Sequence, residues 1–66
     1  MSYLKKVLEE KKLTQKELGI RSGIARESIN RYCNGKKPKK LETYFALSQG
    51  TGIEIGKLIE GMHKDD

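Results

Sequence analysis

Apolar residues recur at helical spacing in five separate stretches, each bounded by a polar cap or a glycine. Leu4, Val7 and Leu8 share one face of a segment over residues 2–12, because steps of three and four bring side chains onto one side of a helix. Ser2 suits its N-cap, and Lys11 and Lys12 suit the negative end of its dipole. Thr14-Gln15-Lys16-Glu17 has the form of a capping box and predicts a second helix ending near Arg21. Ser22-Gly23 breaks the chain, and a third helix follows over residues 26–33 with Ile29 and Tyr32 inward. Asn34-Gly35 stops it. A loop of lysines around Pro38 leads to a fourth helix over residues 41–49, with Leu41, Tyr44, Phe45 and Leu47 on its apolar face. Gly50-Thr51-Gly52 is expected to end that helix, and Ile53, Ile55, Leu58 and Ile59 describe a fifth. The alternation Ile53-Glu54-Ile55 is too short for a strand. The pattern predicts an all-α, five-helix domain over residues 1–61 and a short polar tail over 62–66.

Length and charge narrow the function. With 66 residues, the chain buries only about 60% of its unfolded surface, which leaves little room for an enclosed active-site cavity. The net charge is +5, and it is concentrated. Residues 1–10 are neutral. Residues 11–40 carry ten Lys or Arg against Glu17 and Glu27, a net of +8. Residues 41–66 carry two lysines against five acids, a net of −3. A basic middle with an acidic end suits a polyanionic partner on one face; the alternative is a solvated lysine surface.

Other classes fall away. No apolar run approaches the roughly 20 residues of a membrane span, and no secretory signal is recognisable. One cysteine, Cys33, forms no internal disulfide, so a reducing, cytoplasmic setting is expected. Cys33 with His63 falls short of a zinc site's four ligands. Gly50-x-Gly52-x-x-x-Gly56 has the wrong spacing for a dinucleotide loop. No nucleophile–base pair is recognisable. Neither an enzyme, a metal, a cofactor nor a small-molecule ligand is expected.

The informative stretch is 15–34: helix, glycine-containing break, helix. Leu18 and Ile24 flank the break, Gly19 is small where two helices would approach, and Gly23 tolerates a left-handed turn. This is a helix-turn-helix layout, in which the second helix enters the DNA major groove.

Residues 13–59 resemble the phage repressor and Cro family, the Xre-type helix-turn-helix. Leu13-Thr14-Gln15-Lys16-Glu17-Leu18 is similar to the family's opening helix, and Ser22-Gly23-Ile24 to its turn. Ser28-Ile29, Asn34-Gly35-Lys36 and Pro38 resemble the recognition helix and the loop after it. Leu41-Glu42-Thr43, Gly52-Ile53 and Leu58-Ile59 resemble the last two helices. The resemblance implies a compact lambda-repressor-like fold with the motif formed by helices two and three. Four positions depart from it. Ala25 replaces a capping Ser or Thr, which costs roughly 0.5–2 kcal/mol. Gly19 replaces Ala, at up to about 1 kcal/mol. Gly50-Thr51 replaces Ala-Leu and is expected to weaken the end of helix four. Leu8 and Cys33 occupy the places of an Arg–Glu ion pair, a swap that need not destabilise a core.

Helical phase puts Arg26, Glu27, Asn30 and Arg31 on the outward side of the third helix. Arg can read guanine bidentately, and Glu can accept from a cytosine amino group. The resemblance implies base contacts from Ala25, Arg26, Glu27 and Arg31, Ala25 touching at most a thymine methyl. Asn30 divides evenly between base contact and solvated polar residue, and Ser28 between a phosphate contact and a local bond. Gln15, at a helix N-terminus, suits a phosphate. Asn34 and Lys36 follow the recognition helix, where the family contacts backbone, and Lys37, Lys39 and Lys40 add positive field. Tyr32, Tyr44 and Phe45 are expected in the core, and Cys33 as a small buried apolar residue.

The implied function is a sequence-specific regulator of transcription, a repressor acting by promoter occlusion. It would bind a pseudo-palindromic operator as a homodimer formed mainly on DNA. Pairing is expected through the loop after helix three or through exposed apolar residues near Ile55, Ile59 and Met62. The alternative is a protein-interaction module on the same fold, antitoxin-like or a regulator subunit, for which an outward Ile20 would serve.

Overall fold

The computed structural model describes residues 2–64, folded as five helices: α1 (Tyr3–Lys11), α2 (Gln15–Ser22), α3 (Arg26–Cys33), α4 (Leu41–Thr51) and α5 (Ile55–His63). α2 packs against α3 and α4, α1 against α3, α4 and α5, and α4 against α5.

Local chemistry sets the helix boundaries. Ser2 Oγ accepts from the Lys5 N–H and caps α1. The capping box of α2 is complete: Thr14 Oγ1 accepts from the Glu17 N–H at 3.0 Å, and Glu17 Oε1 accepts from the Thr14 N–H at 2.9 Å. Gly23 and Gly52 close α2 and α4 at φ +76° and +78°, a conformation that costs glycine little. Glu54 caps α5 through the Gly56 N–H.

Leu4, Leu18, Ile29, Leu47 and Leu58, one from each helix, are fully buried at the centre. Burying each such side chain contributes about 1.5–3 kcal/mol. Leu8 and Cys33 both join this core. Burial pushes the Cys33 thiol up from its ordinary value, against a smaller opposing pull from Lys5.

The fold departs from the periodicity at five places. α4 continues through Gly50 and Thr51 to Gly52, because Thr51 Oγ1 donates to the Leu47 carbonyl at 2.8 Å and both residues are buried. Leu41 and Phe45, expected inward, are 69% and 55% exposed; Tyr44 and Leu47 take the inner face of α4 instead. Tyr32 is only half-buried, and Cys33 joins Ile29 on the inner face of α3. Met62 lies in the core at 4% exposure, not on the surface. α5 runs to His63, so the tail begins later than residue 62, and its last two residues, 65 and 66, lie outside the described residues.

Candidate nucleic-acid interface

The turn between α2 and α3 is held by side chain and backbone together. Ser22 Oγ donates to the Leu18 carbonyl at 2.7 Å and accepts from the Ile24 N–H at 3.2 Å. The Gly23 N–H donates to the Gly19 carbonyl at 2.9 Å. A Cβ on Gly19 would lie 3.2 Å from the Ile24 carbonyl oxygen, so the small residue lets the turn fold back over α2.

Ile29 and Cys33 anchor α3 inward, which sets its rotation. Ala25, Arg26, Glu27, Asn30 and Arg31 are all exposed on the other side. Ala25 occupies the N-cap and offers no side-chain hydrogen bond, so first-turn N–H groups stay open to an external acceptor. The far end of α3 is braced from α1: Ser2 Oγ donates to the Cys33 carbonyl at 2.6 Å. Asn34 is exposed at the C-cap, and its N–H returns to the Asn30 and Arg31 carbonyls. Gly35 at φ +103° turns the chain into the lysine loop. Pro38 is buried and pins that loop, which leaves Lys36, Lys39 and Lys40 exposed and Lys37 half-buried.

Two shallow depressions result. The first is lined by Gln15, Arg26, Glu27 and Asn30, so the start of α2 and the outer face of α3 meet there. The second is lined by Arg31, Lys36, Lys37, Lys39 and Lys40, with Tyr32 and Thr43. Arg31, expected beside the other outward residues of α3, sits with the lysine loop, and its Nη2 donates to Ser28 Oγ at 3.2 Å. Ser28 therefore makes a local bond, with a side chain as donor. Ala25, Ser28 and Asn34 line neither depression.

The place of Thr43 in the second depression and the brace from Ser2, read only as the cap of α1, escaped the sequence reading. Thr43 is one turn beyond Lys39 and Lys40, a spacing that could have flagged it. The Ser2–Cys33 bond spans 31 positions and leaves no sequence signal.

Electrostatically, the first depression combines both charge signs with amide donors and acceptors, the mixture that discriminates base edges. The second combines five cations without an acid, which suits phosphate. Glu17 lies below the ordinary carboxylate range because the Thr14 backbone N–H and then its hydroxyl bond the carboxylate, with Arg21 adding attraction. Among the described residues, no His, Cys, Asp or Glu cluster could hold a metal, and no helix is long and apolar enough to cross a membrane.

A helix-turn-helix family model matches residues 4–58, a span that covers both depressions and runs into the first turn of α5. No curated protein and no solved structure matches the chain.

Proposed function

Because the chain belongs to the Xre/Cro-type helix-turn-helix family, a family of double-stranded DNA-binding regulators, we propose that it is a sequence-specific repressor whose α3 reads the major groove. The observation that carries this is the meeting of Gln15, Arg26, Glu27 and Asn30 in one depression beside a second, purely cationic one. Arg26, Glu27 and Asn30 read base edges, with Ala25 against a thymine methyl, and Gln15 takes a phosphate where α2 begins. Arg31 stands at the border: it reads a base at the edge of the site or joins the lysines on phosphate. Ser28, Asn34, Lys36, Lys37, Lys39 and Lys40 belong to the backbone contacts.

One eight-residue helix covers a single half-site, so affinity calls for two copies on a pseudo-palindrome. Half-sites about 34–36 Å apart match one helical turn of DNA. The regulator acts in the cytoplasm, on operators that overlap promoters.

Selection from a randomised duplex library, followed by salt titration on the enriched site, tests this. A palindromic motif with that spacing is expected. Weak, salt-sensitive binding without a motif would reduce the basic face to plain electrostatics. The second reading, a protein-interaction module, is favoured by Ile20, 74% exposed on α2. Neutralising Arg26 and Arg31 abolishes the first function and spares the second.

A further inference from the structure

We propose that the groove between α1 and α5 binds a short acidic peptide segment of another protein, with one apolar side chain of that segment on its floor. Two depressions run together there, because Tyr3 and Lys6 line both. None of their residues lines the depressions assigned to DNA. Tyr3, Val7 and Ile53 supply an apolar floor, Tyr3 and Val7 adjoining each other four positions apart on α1. The Tyr3 ring lies against α5 at Gly61, where an added Cβ would overlap it. Glycine is unfavourable inside a helix, and here it gives the ring its place between the two helices.

The rim is cationic. Lys6 and Lys11 from α1 and Lys57 from α5 are exposed along the same depression. Among the described residues none of the three has an ion-pair partner, although Glu10 lines that depression too. Lys64, in the adjoining depression, is paired with Glu60 at 3.0 Å. Lys6 and Lys57 come from stretches of the chain that are neutral and acidic overall, so the fold, not the composition, makes this second cationic site. Its chemistry selects the occupant. Three unpaired cations against one acid call for carboxylates, and the floor calls for an apolar side chain. A phosphate backbone fits poorly, because Glu10 repels a continuous line of phosphates and the floor is apolar. The nine residues of α1 span roughly 12–14 Å, the length of about four residues of extended chain.

The site stands apart from the DNA reading, since it needs neither α3, an operator nor Ile20. The probes are acetylated tetrapeptide amides of three Glu and one Leu, with the Leu at each position in turn, titrated into isotope-labelled protein at about 0.15 M salt. At least one is expected to give saturable amide shifts at Tyr3, Lys6, Val7, Ile53 and Lys57, with Kd on the order of 0.1–1 mM. Replacing its Leu by Gly removes those shifts, and leaves any weak response of the lysine loop unchanged. The double variant Lys6→Gln, Lys57→Gln binds the probe roughly tenfold more weakly. It melts like the wild type, because both side chains are exposed, and binds the selected duplex within about twofold of it. Groove amides that stay still with every probe up to about 10 mM overturn the proposal. So do groove shifts that survive the Gly probe or the double variant, which reduce the rim to general electrostatics. Loss of duplex affinity in the double variant also overturns it, by giving the groove to nucleic acid. A wild type that binds no duplex refutes the DNA reading alone, and the peptide titration still decides the groove.

Discussion

Leu18 occupies the space that a side chain at Gly50 would need: a Cβ there would lie 2.7 Å from Leu18 Cδ1 and 3.2 Å from Ser22 Cβ. Gly50 is therefore where α2 crosses α4, and it holds the first helix of the DNA-binding motif against the rest of the domain. Leu18 is fully buried, so its methyl can yield only by repacking against its neighbours in the core.

Gly50→Ala should thus destabilise the protein although alanine is the better helix former. Overpacking costs about 1–3 kcal/mol, and the propensity gain returns up to about 1 kcal/mol. With the full propensity gain returned, a net loss of up to about 2 kcal/mol in denaturant unfolding is expected. An equal or raised midpoint would show that Leu18 repacks.

Ser2→Ala removes two bonds at once, the α1 cap and the brace to the Cys33 carbonyl. A loss of about 1–2 kcal/mol follows from these bonds. Amide exchange should also accelerate at the C-terminal end of α3. Destabilisation with unchanged exchange there would assign the effect to the cap alone.

The capping box makes α2 sensitive to acid. The folded state lowers the Glu17 pKa. Its contribution is therefore fully present above the ordinary carboxylate value, and it fades as pH falls through the lower folded value. The stability gap between wild type and Glu17→Gln should be constant above about pH 5 and close below it. A gap that widens in acid would contradict the geometry.

The two depressions should separate in DNA binding. Lys36→Ala, Lys39→Ala and Lys40→Ala should each weaken all duplexes alike and reduce the log–log salt slope by up to about 0.9. Arg26→Ala should instead relax one base position, at about 1–3 kcal/mol of discrimination. Arg31→Ala decides its own assignment by the class it joins. Lysine variants that change base preference would reverse these roles.

Much of the fold was legible because local chemistry carries it. Thr14 and Glu17 cap α2 and Gly23 makes the turn, and Ile29 marks the inner face of α3. The outward set Arg26, Glu27 and Asn30 follows from that face by helical phase alone. The surface of α4 was not legible. Leu41, Tyr44, Phe45 and Leu47 form one broad apolar arc, and nothing local tells which half of such an arc meets a neighbour.

Tertiary packing decided the rest. Gly50 reads as a helix breaker in isolation, yet it is a helical residue because Leu18 fills its place and Thr51 bonds back to Leu47. His63 reads as a tail residue, yet its Nε2 lies 3.0 Å from the Tyr44 hydroxyl, and their rings stack at 6.0 Å. Met62 enters the core from the last turn of α5. Arg31 borders the lysine loop while bonding Ser28 on its own helix. Sequence alone determined the elements governed by hydrogen bonds between near neighbours, along with the family and the basic face. Only the folded chain settled which apolar residues stay dry, because burial depends on partners dozens of residues away.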